Sequence, residues 1–225
     1  MSEYVLRPAI DGARGPIVYV PGVGGRTSFI AQWQHPESPV AAAIWKTPGR
    51  STPVVQRGGE LARALAEQGA DEVMLVGHSL GALIAFEAAV RSPGRFRALV
   101  LLAQYPPHAM RRYSHEGRES LSALADLEAA VPSELAQAAG FLEAMREVWL
   151  NDYKAAAEYE PSARTDVRIV AVGAAQDKLS CDLETLAQWD RYGTRIQVAM
   201  MPGGHNFVET LTGDEFREMI YAFVS

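Results

Sequence analysis

The residues with the types and spacing for chemistry gather around Ser79. It lies in Gly77-His78-Ser79-Leu80-Gly81, a Gly-x-Ser-x-Gly pentapeptide entered by the apolar run Val73–Val76 and followed by a helical pattern. A strand ending at Gly77 and a helix starting near Leu80 force the serine into a sharp turn with its hydroxyl above the sheet, while the glycines keep side chains out of the crowded bend. The helix N-terminus behind it offers free N–H groups and a positive dipole end to a developing oxyanion. A serine hydroxyl is a weak nucleophile at neutral pH, so it needs a base within hydrogen-bond reach and a third group to fix the imidazole tautomer.

Five histidines compete for the role of base. His78 lies inside the pentapeptide with its side chain expected to point away from the nucleophile's target, and His35, His108 and His115 fall in expected loops or in an inserted segment. His205 alone follows a late strand and a glycine pair, and is the candidate general base. Asp177, at the exit of the preceding strand, is the candidate acid; Asp182 is its rival, although it is also placed to cap the next helix. The oxyanion donors would be the backbone N–H of Leu80 and one from the loop Pro21 to Gly25, either Val23 or Gly22.

The elements that must carry these residues alternate. A β-branched and aromatic run after Gly15 stops at the glycine-rich turn of residues 21–25, and Ala41–Trp45 reads as a second strand closed by Pro48-Gly49-Arg50. A helix is expected from Val55 to Gln68, then the strand Val73–Val76 that leads into the Ser79 turn, a nucleophile elbow, a helix from Leu80 to Val90, and a strand over Ala98–Ala103. Alternation at this spacing argues for parallel β-α-β units. It breaks over residues 104–166, where helical patterns at Glu119–Ala130, Ser133–Leu150 and Tyr153–Tyr159 replace strands. An insertion there would cover the carboxyl ends of the strands, where the nucleophile points, so it is read as a lid. Alternation resumes with a strand over Val167–Gly173, a helix over Asp182–Tyr192, a strand over Arg195–Met200 and a helix over Asp214–Phe223. The expectation is a single α/β domain, residues 1–225, with a mostly parallel sheet of about six strands.

Composition removes other classes. With 225 residues, 48% of them hydrophobic, the chain can bury one sizeable core. The net charge of −6 and the lack of a basic cluster argue against a nucleic-acid partner, and Arg111-Arg112 is read as a solvated loop. A single cysteine, Cys181, excludes an internal disulfide, leaves no cysteine cluster for zinc, and is read as a structural thiol. The glycine loop lacks a full G-x-G-x-x-G with an acidic ribose partner, so no dinucleotide is expected, nor any metal or other cofactor. No run of 18 apolar residues and no signal-like N-terminus is visible, so the protein is expected to be cytoplasmic, without a membrane partner.

The chain order Ser79, Asp177, His205 is that of α/β-hydrolases. Several segments resemble the α/β-hydrolase thioesterases of polyketide and non-ribosomal peptide synthesis, especially the stand-alone type II enzymes. These are Val20-Pro21-Gly22-Val23-Gly24-Gly25 with Ser28-Phe29 and Trp33, the turn Pro48-Gly49-Arg50, Gly77 to Ala82 with Phe86-Glu87, Asp177 to Trp189, and Pro202-Gly203-Gly204-His205-Asn206-Phe207. The chain departs from the family's pattern at Ala103-Gln104-Tyr105-Pro106-Pro107 and at Asn206, where an aromatic is usual. The resemblance implies hydrolysis, or cyclising release, of an acyl group held as a thioester on the phosphopantetheine of an acyl or peptidyl carrier protein, or on coenzyme A. The triad by itself equally permits a carboxylesterase or lipase-like hydrolase of a small ester, and a silent hydrolase fold that binds a carrier protein is the alternative of another class.

Overall fold

The computed structural model describes residues 2–10, 12, 15–25, 27–33, 40–48, 50–114, 137, 140–177, 180 and 182–224, with backbone alone at 111–114. Among them seven strands form one sheet in the order β1-β3-β2-β4-β5-β6-β7. They are β1 (Tyr4–Arg7), β2 (Ile17–Val20), β3 (Val40–Trp45), β4 (Val73–His78), β5 (Phe96–Leu102), β6 (Arg168–Ala174) and β7 (Ile196–Met201). All neighbours run parallel except β1, which pairs antiparallel with β3 in the register Tyr4 to Trp45. The sheet is therefore one strand larger than the six expected. The addition, β1, is a four-residue edge strand with Tyr4 and Leu6 buried and Arg7 exposed, too short to give a periodic signal.

Both faces of the parallel strands are covered, which is why β2, Val73–Val76 of β4 and Ala98–Leu102 of β5 read as unbroken apolar runs. On one face, Val18, Val20, Leu75, Leu99 and Leu101 pack with α1 (Val54–Glu67) and α2 (Leu80–Arg91). On the other, Ile17, Tyr19, Val76, Val100 and Val172 pack with the 3-10 turn Ser28–Trp33 and with the helix Gly213–Val224. The indole of Trp33 stacks on Phe216 at 3.9 Å between centroids and donates its N–H to the Leu211 carbonyl.

The segment 104–166 departs most from expectation. It opens with a helix that sequence periodicity did not indicate, α3 (Pro107–Ser114), which places Arg111 and Arg112 on a helix instead of in a loop. The expected second and third helices merge into α4 (Phe141–Ala157), which starts after Gly140 in the left-handed region at φ 75°. The helix expected over 119–130, and residues 133–136 of the next, lie outside the described residues. Further on, the helix expected over 182–192 is only α5 (Leu183–Ala187), continued by a 3-10 turn at Gln188–Arg191. The closing helix Gly213–Val224 is α6.

The far end of this segment is fastened to α2 by a buried carboxylate. Glu87 is wholly inaccessible to solvent, accepts hydrogen bonds from the Tyr159 hydroxyl (2.9 Å) and the Ser162 hydroxyl (2.6 Å), and pairs with Arg91 at 3.0 Å. Burial, then the charge of Glu87, pushes the Tyr159 phenol well above its ordinary range, so it stays protonated and donates. A charge out of water is tolerated only with such partners. Glu87→Ala is therefore expected to lower unfolding stability by about 2–4 kcal/mol in urea, by leaving the buried Tyr159 hydroxyl unpaired, with Glu87→Gln losing less.

Candidate active site

Chain direction changes sides between β2 and β4, because β3 lies beyond β2 and β5 beyond β4. Ligands of open α/β sheets occupy the crevice at the carboxyl ends of such a switch point. The loop after β2 is Pro21–Gly25, and the residue after β4 is Ser79.

The Ser79 bend is strained. Its φ of 53° and ψ of −125° lie where non-glycine residues are rarely found, and its amide is held by the Leu102 carbonyl at 2.9 Å. The pentapeptide glycines are required by close approach. A Cβ on Gly77 would fall 2.4 Å from the Gly81 carbonyl oxygen, and one on Gly81 would fall 2.1 Å from that of Val20. The start of α2 is thereby pressed onto the end of β2 with no side chain between them, and Ser79 is the residue before the first turn of the helix. Gly22 of the β2 loop lies beside it, since a Cβ there would be 3.1 Å from Ser79 Cβ.

The exits of β6 and β7 are tied to each other through Ala175 N–H to the Met201 carbonyl and Gln176 N–H to the Gly203 carbonyl, both 2.9 Å. That pairing brings Asp177 and His205 together, with Nδ1 of His205 2.8 Å from Oδ2 of Asp177. The carboxylate can only accept, so Nδ1 carries the proton and Nε2 is left as the basic nitrogen. Asp177 is buried and also accepts from the Ser180 hydroxyl, whereas 31% of the His205 side chain is exposed. Asp182 is elsewhere: it caps α5, accepting from the N–H groups of Glu184 and Thr185. The Thr185 hydroxyl and then these amides hold its carboxyl below the usual range.

One neighbour of the site was not legible as such. His78 packs against the site: its Nε2 is 2.8 Å from the main-chain carbonyl of His205, and the two rings are 5.1 Å apart. A carbonyl can only accept, so Nε2 of His78 carries the proton and braces the loop that presents His205. Burial foremost, and the neighbouring His205, push the His78 pKa down to about 3, against the opposing effects of the carbonyl bond and Asp177. Ser79 follows β4 at the same sheet edge, and no hydrogen bond joins its hydroxyl to the His205 imidazole. Of the other histidines, His108 bonds the Tyr192 hydroxyl and Gln188, while His35 and His115 lie outside the described residues.

The donors of the β2 loop can be sorted by elimination. Pro21 has no N–H, Gly25 N–H is bonded to the Gly22 carbonyl at 3.1 Å, and Gly24 N–H to Asp152 at 2.9 Å. The loop's remaining N–H groups are those of Gly22 and Val23, beside the serine, with Leu80 following it at the start of α2. Among the described residues no three or more His, Cys, Asp or Glu side chains are grouped to hold a metal, and no helix is long and apolar enough to cross a membrane.

The parallel sheet, the elbow and the loops at its carboxyl edge define an α/β-hydrolase. The chain belongs to the thioesterase family, whose model, described as a thioesterase domain, matches residues 15–223, and it is thus a hydrolase of that class. Solved structures share the fold. YbtT, a type II thioesterase of the yersiniabactin pathway, is 17% identical over 99% of this chain and 98% of its own, with a TM-score of 0.72. The type II thioesterase BorB of the borrelidin cluster is 21% identical over 99% and 97%, also at 0.72. RedJ, the thioesterase of the prodiginine pathway in Streptomyces coelicolor, is 24% identical over 94% and 84%, at 0.64. No curated protein sequence matches.

The buried neutral His78 makes stability depend on pH. Between its ordinary 6.5 and about 3, the unfolded chain binds a proton that the folded chain refuses, so this contribution is present above pH 6.5 and is lost as pH falls. At pH 5 wild type should have lost about 2 kcal/mol more, relative to pH 7, than His78→Gln, as read from urea midpoints. Equal losses in the two proteins would contradict the buried neutral state.

Proposed function

We propose that the protein is a serine thioesterase which removes an acyl group from the phosphopantetheine thioester of an acyl or peptidyl carrier protein, or from coenzyme A, through an acyl-Ser79 intermediate. The observation that carries the reading is the 2.8 Å pair of His205 and Asp177 at the same sheet edge as the strained Ser79 turn. Membership of the thioesterase family and a fold shared with type II thioesterases of synthase pathways support the substrate class. The whole chain is read as one α/β-hydrolase domain, in which 104–166 forms a lid over the crevice and lines the acyl site.

In this reading the Ser79 hydroxyl attacks the thioester carbonyl carbon while His205 Nε2 takes its proton and Asp177 steadies the imidazolium. The carbonyl oxygen becomes an oxyanion, held by the N–H of Leu80 and that of Val23 or Gly22. Collapse breaks the C–S bond, and the pantetheine sulfur leaves with the proton from His205. Water then attacks the acyl-serine with His205 again as base, releasing the carboxylic acid and restoring Ser79. An internal hydroxyl or amine of the acyl chain in place of water would give a cyclic product by the same steps.

A panel of acyl pantetheine thioesters with matching oxyesters tests the assignment. Wild type is expected to turn over the thioesters and, when quenched in acid, to carry the acyl mass on the Ser79 peptide. Ser79→Ala and His205→Ala should each lower kcat by at least about 10³-fold, and Asp177→Asn by about 10²–10⁴-fold. Fast oxyester cleavage without thioester turnover would make the protein an esterase, and absence of labelling by a fluorophosphonate would make it a binding protein.

A further inference from the structure

The oxyanion loop is held from above by a side chain of helix α4. Asp152 is buried there, with both carboxylate oxygens engaged by different parts of the protein. Oδ2 accepts the N–H of Gly24 at 2.9 Å, and Oδ1 is 2.7 Å from a terminal guanidinium nitrogen of Arg57 on α1. The side chains of this ion pair are 5% and 8% exposed. Arg57 is itself fixed, since its Nε donates to the Thr52 carbonyl at 3.1 Å and its guanidinium lies 5.6 Å from the Trp45 ring centroid. The anchor therefore rests on the sheet and α1, and Asp152 transmits it to the loop.

One turn earlier on α4, Trp149 covers the same residue: a Cβ on Gly24 would fall 2.6 Å from its indole nitrogen. Gly24 also has φ 77°, so the loop is closed beneath α4 in a conformation that suits glycine. The peptide between Val23 and Gly24 is planar, so aiming the Gly24 N–H at Asp152 also fixes where the rest of that peptide lies. The loop amides left without a hydrogen bond are those of Val23 and Gly22. An ion pair with no other duty needs no contact with this loop, and Asp152 makes that contact across 128 residues of sequence. Removing its carboxylate frees the Gly24 peptide to rotate, and a misplaced donor is worth far less to an oxyanion than an oriented one.

We propose that Asp152 is the positioning residue of the oxyanion hole, by which lid helix α4 and Arg57 set the orientation of the Pro21–Gly25 loop. The proposal rests on the serine-hydrolase reading above for its catalytic consequence, while its structural core does not. Asp152→Ala should lower kcat on an acyl pantetheine thioester by about 10–100-fold with KM within about threefold, and weaken a trifluoromethyl ketone analogue of the substrate by a similar factor. Asp152→Asn, which keeps an oxygen for the Gly24 N–H, should recover most of the lost kcat. Hydrogen exchange of the peptide spanning residues 20–25 should quicken in the Ala variant, with the central strands unchanged.

The inference fails if Asp152→Ala keeps kcat within about threefold of wild type, if Asn is as impaired as Ala, or if exchange rises throughout the chain as for plain destabilisation. Should wild type cleave no thioester at all, the functional reading falls, and exchange at residues 20–25 in the two variants decides the positioning role alone.

Discussion

The close approach of Gly81 to the Val20 carbonyl is the contact on which the rest of the site depends. A methyl group at that point would lie 2.1 Å from the oxygen, so the first turn of α2 can pack on the end of β2 only because the residue is glycine. That packing sets the bend at Ser79 and puts the β2 loop beside it. It also places the unpaired amides of a helix N-terminus where two loops of opposite crossover direction diverge. A strained φ of 53° persists there because the contacts around it over-determine the chain, with the Leu102 carbonyl holding the Ser79 amide from the adjacent strand.

Three buried carboxylates then connect segments that the sheet alone would leave independent. Asp177 joins the exits of β6 and β7, Asp152 joins α4 to the β2 loop and α1, and Glu87 joins α2 to residues 159–162. Each is satisfied by several donors, as an ionised group withdrawn from water must be. Two of the three fasten the 104–166 segment to the hydrolase core, Asp152 in the second half of α4 and Glu87 just beyond its carboxyl end. These polar contacts act beside apolar ones, since Tyr105, Ala109, Ala155, Ala156 and Tyr159 of the same segment pack into the core with α1 and α2.

Much of this was legible along the chain. Apolar runs bounded by glycine and proline located every parallel strand to within two residues or so, because strands buried on both faces carry an unbroken hydrophobic signal. The edge strand β1, four residues long, carried no such signal, and α3 was hidden by its proline start and polar composition. Gly140 falls inside the helix expected over 133–150, and its φ of 75° sets the start of α4. Asp177 and His205, read as acid and base, lie 2.8 Å apart, while Asp182 took the capping position that its place before a helix already suggested.

The sequence by itself determined the parallel strands, the elbow and the identity of the residues at strand exits. These depend on local periodicity and on glycines within a few positions of the serine. Tertiary structure alone decided how those residues are held. His78 supports the His205 loop across 127 residues, and Asp152 meets Gly24 across 128, so neither contact leaves a trace in any local window. The reason is physical: a buried histidine or aspartate is chosen by partners that the fold delivers from elsewhere, and residue type does not announce which backbone group will need it.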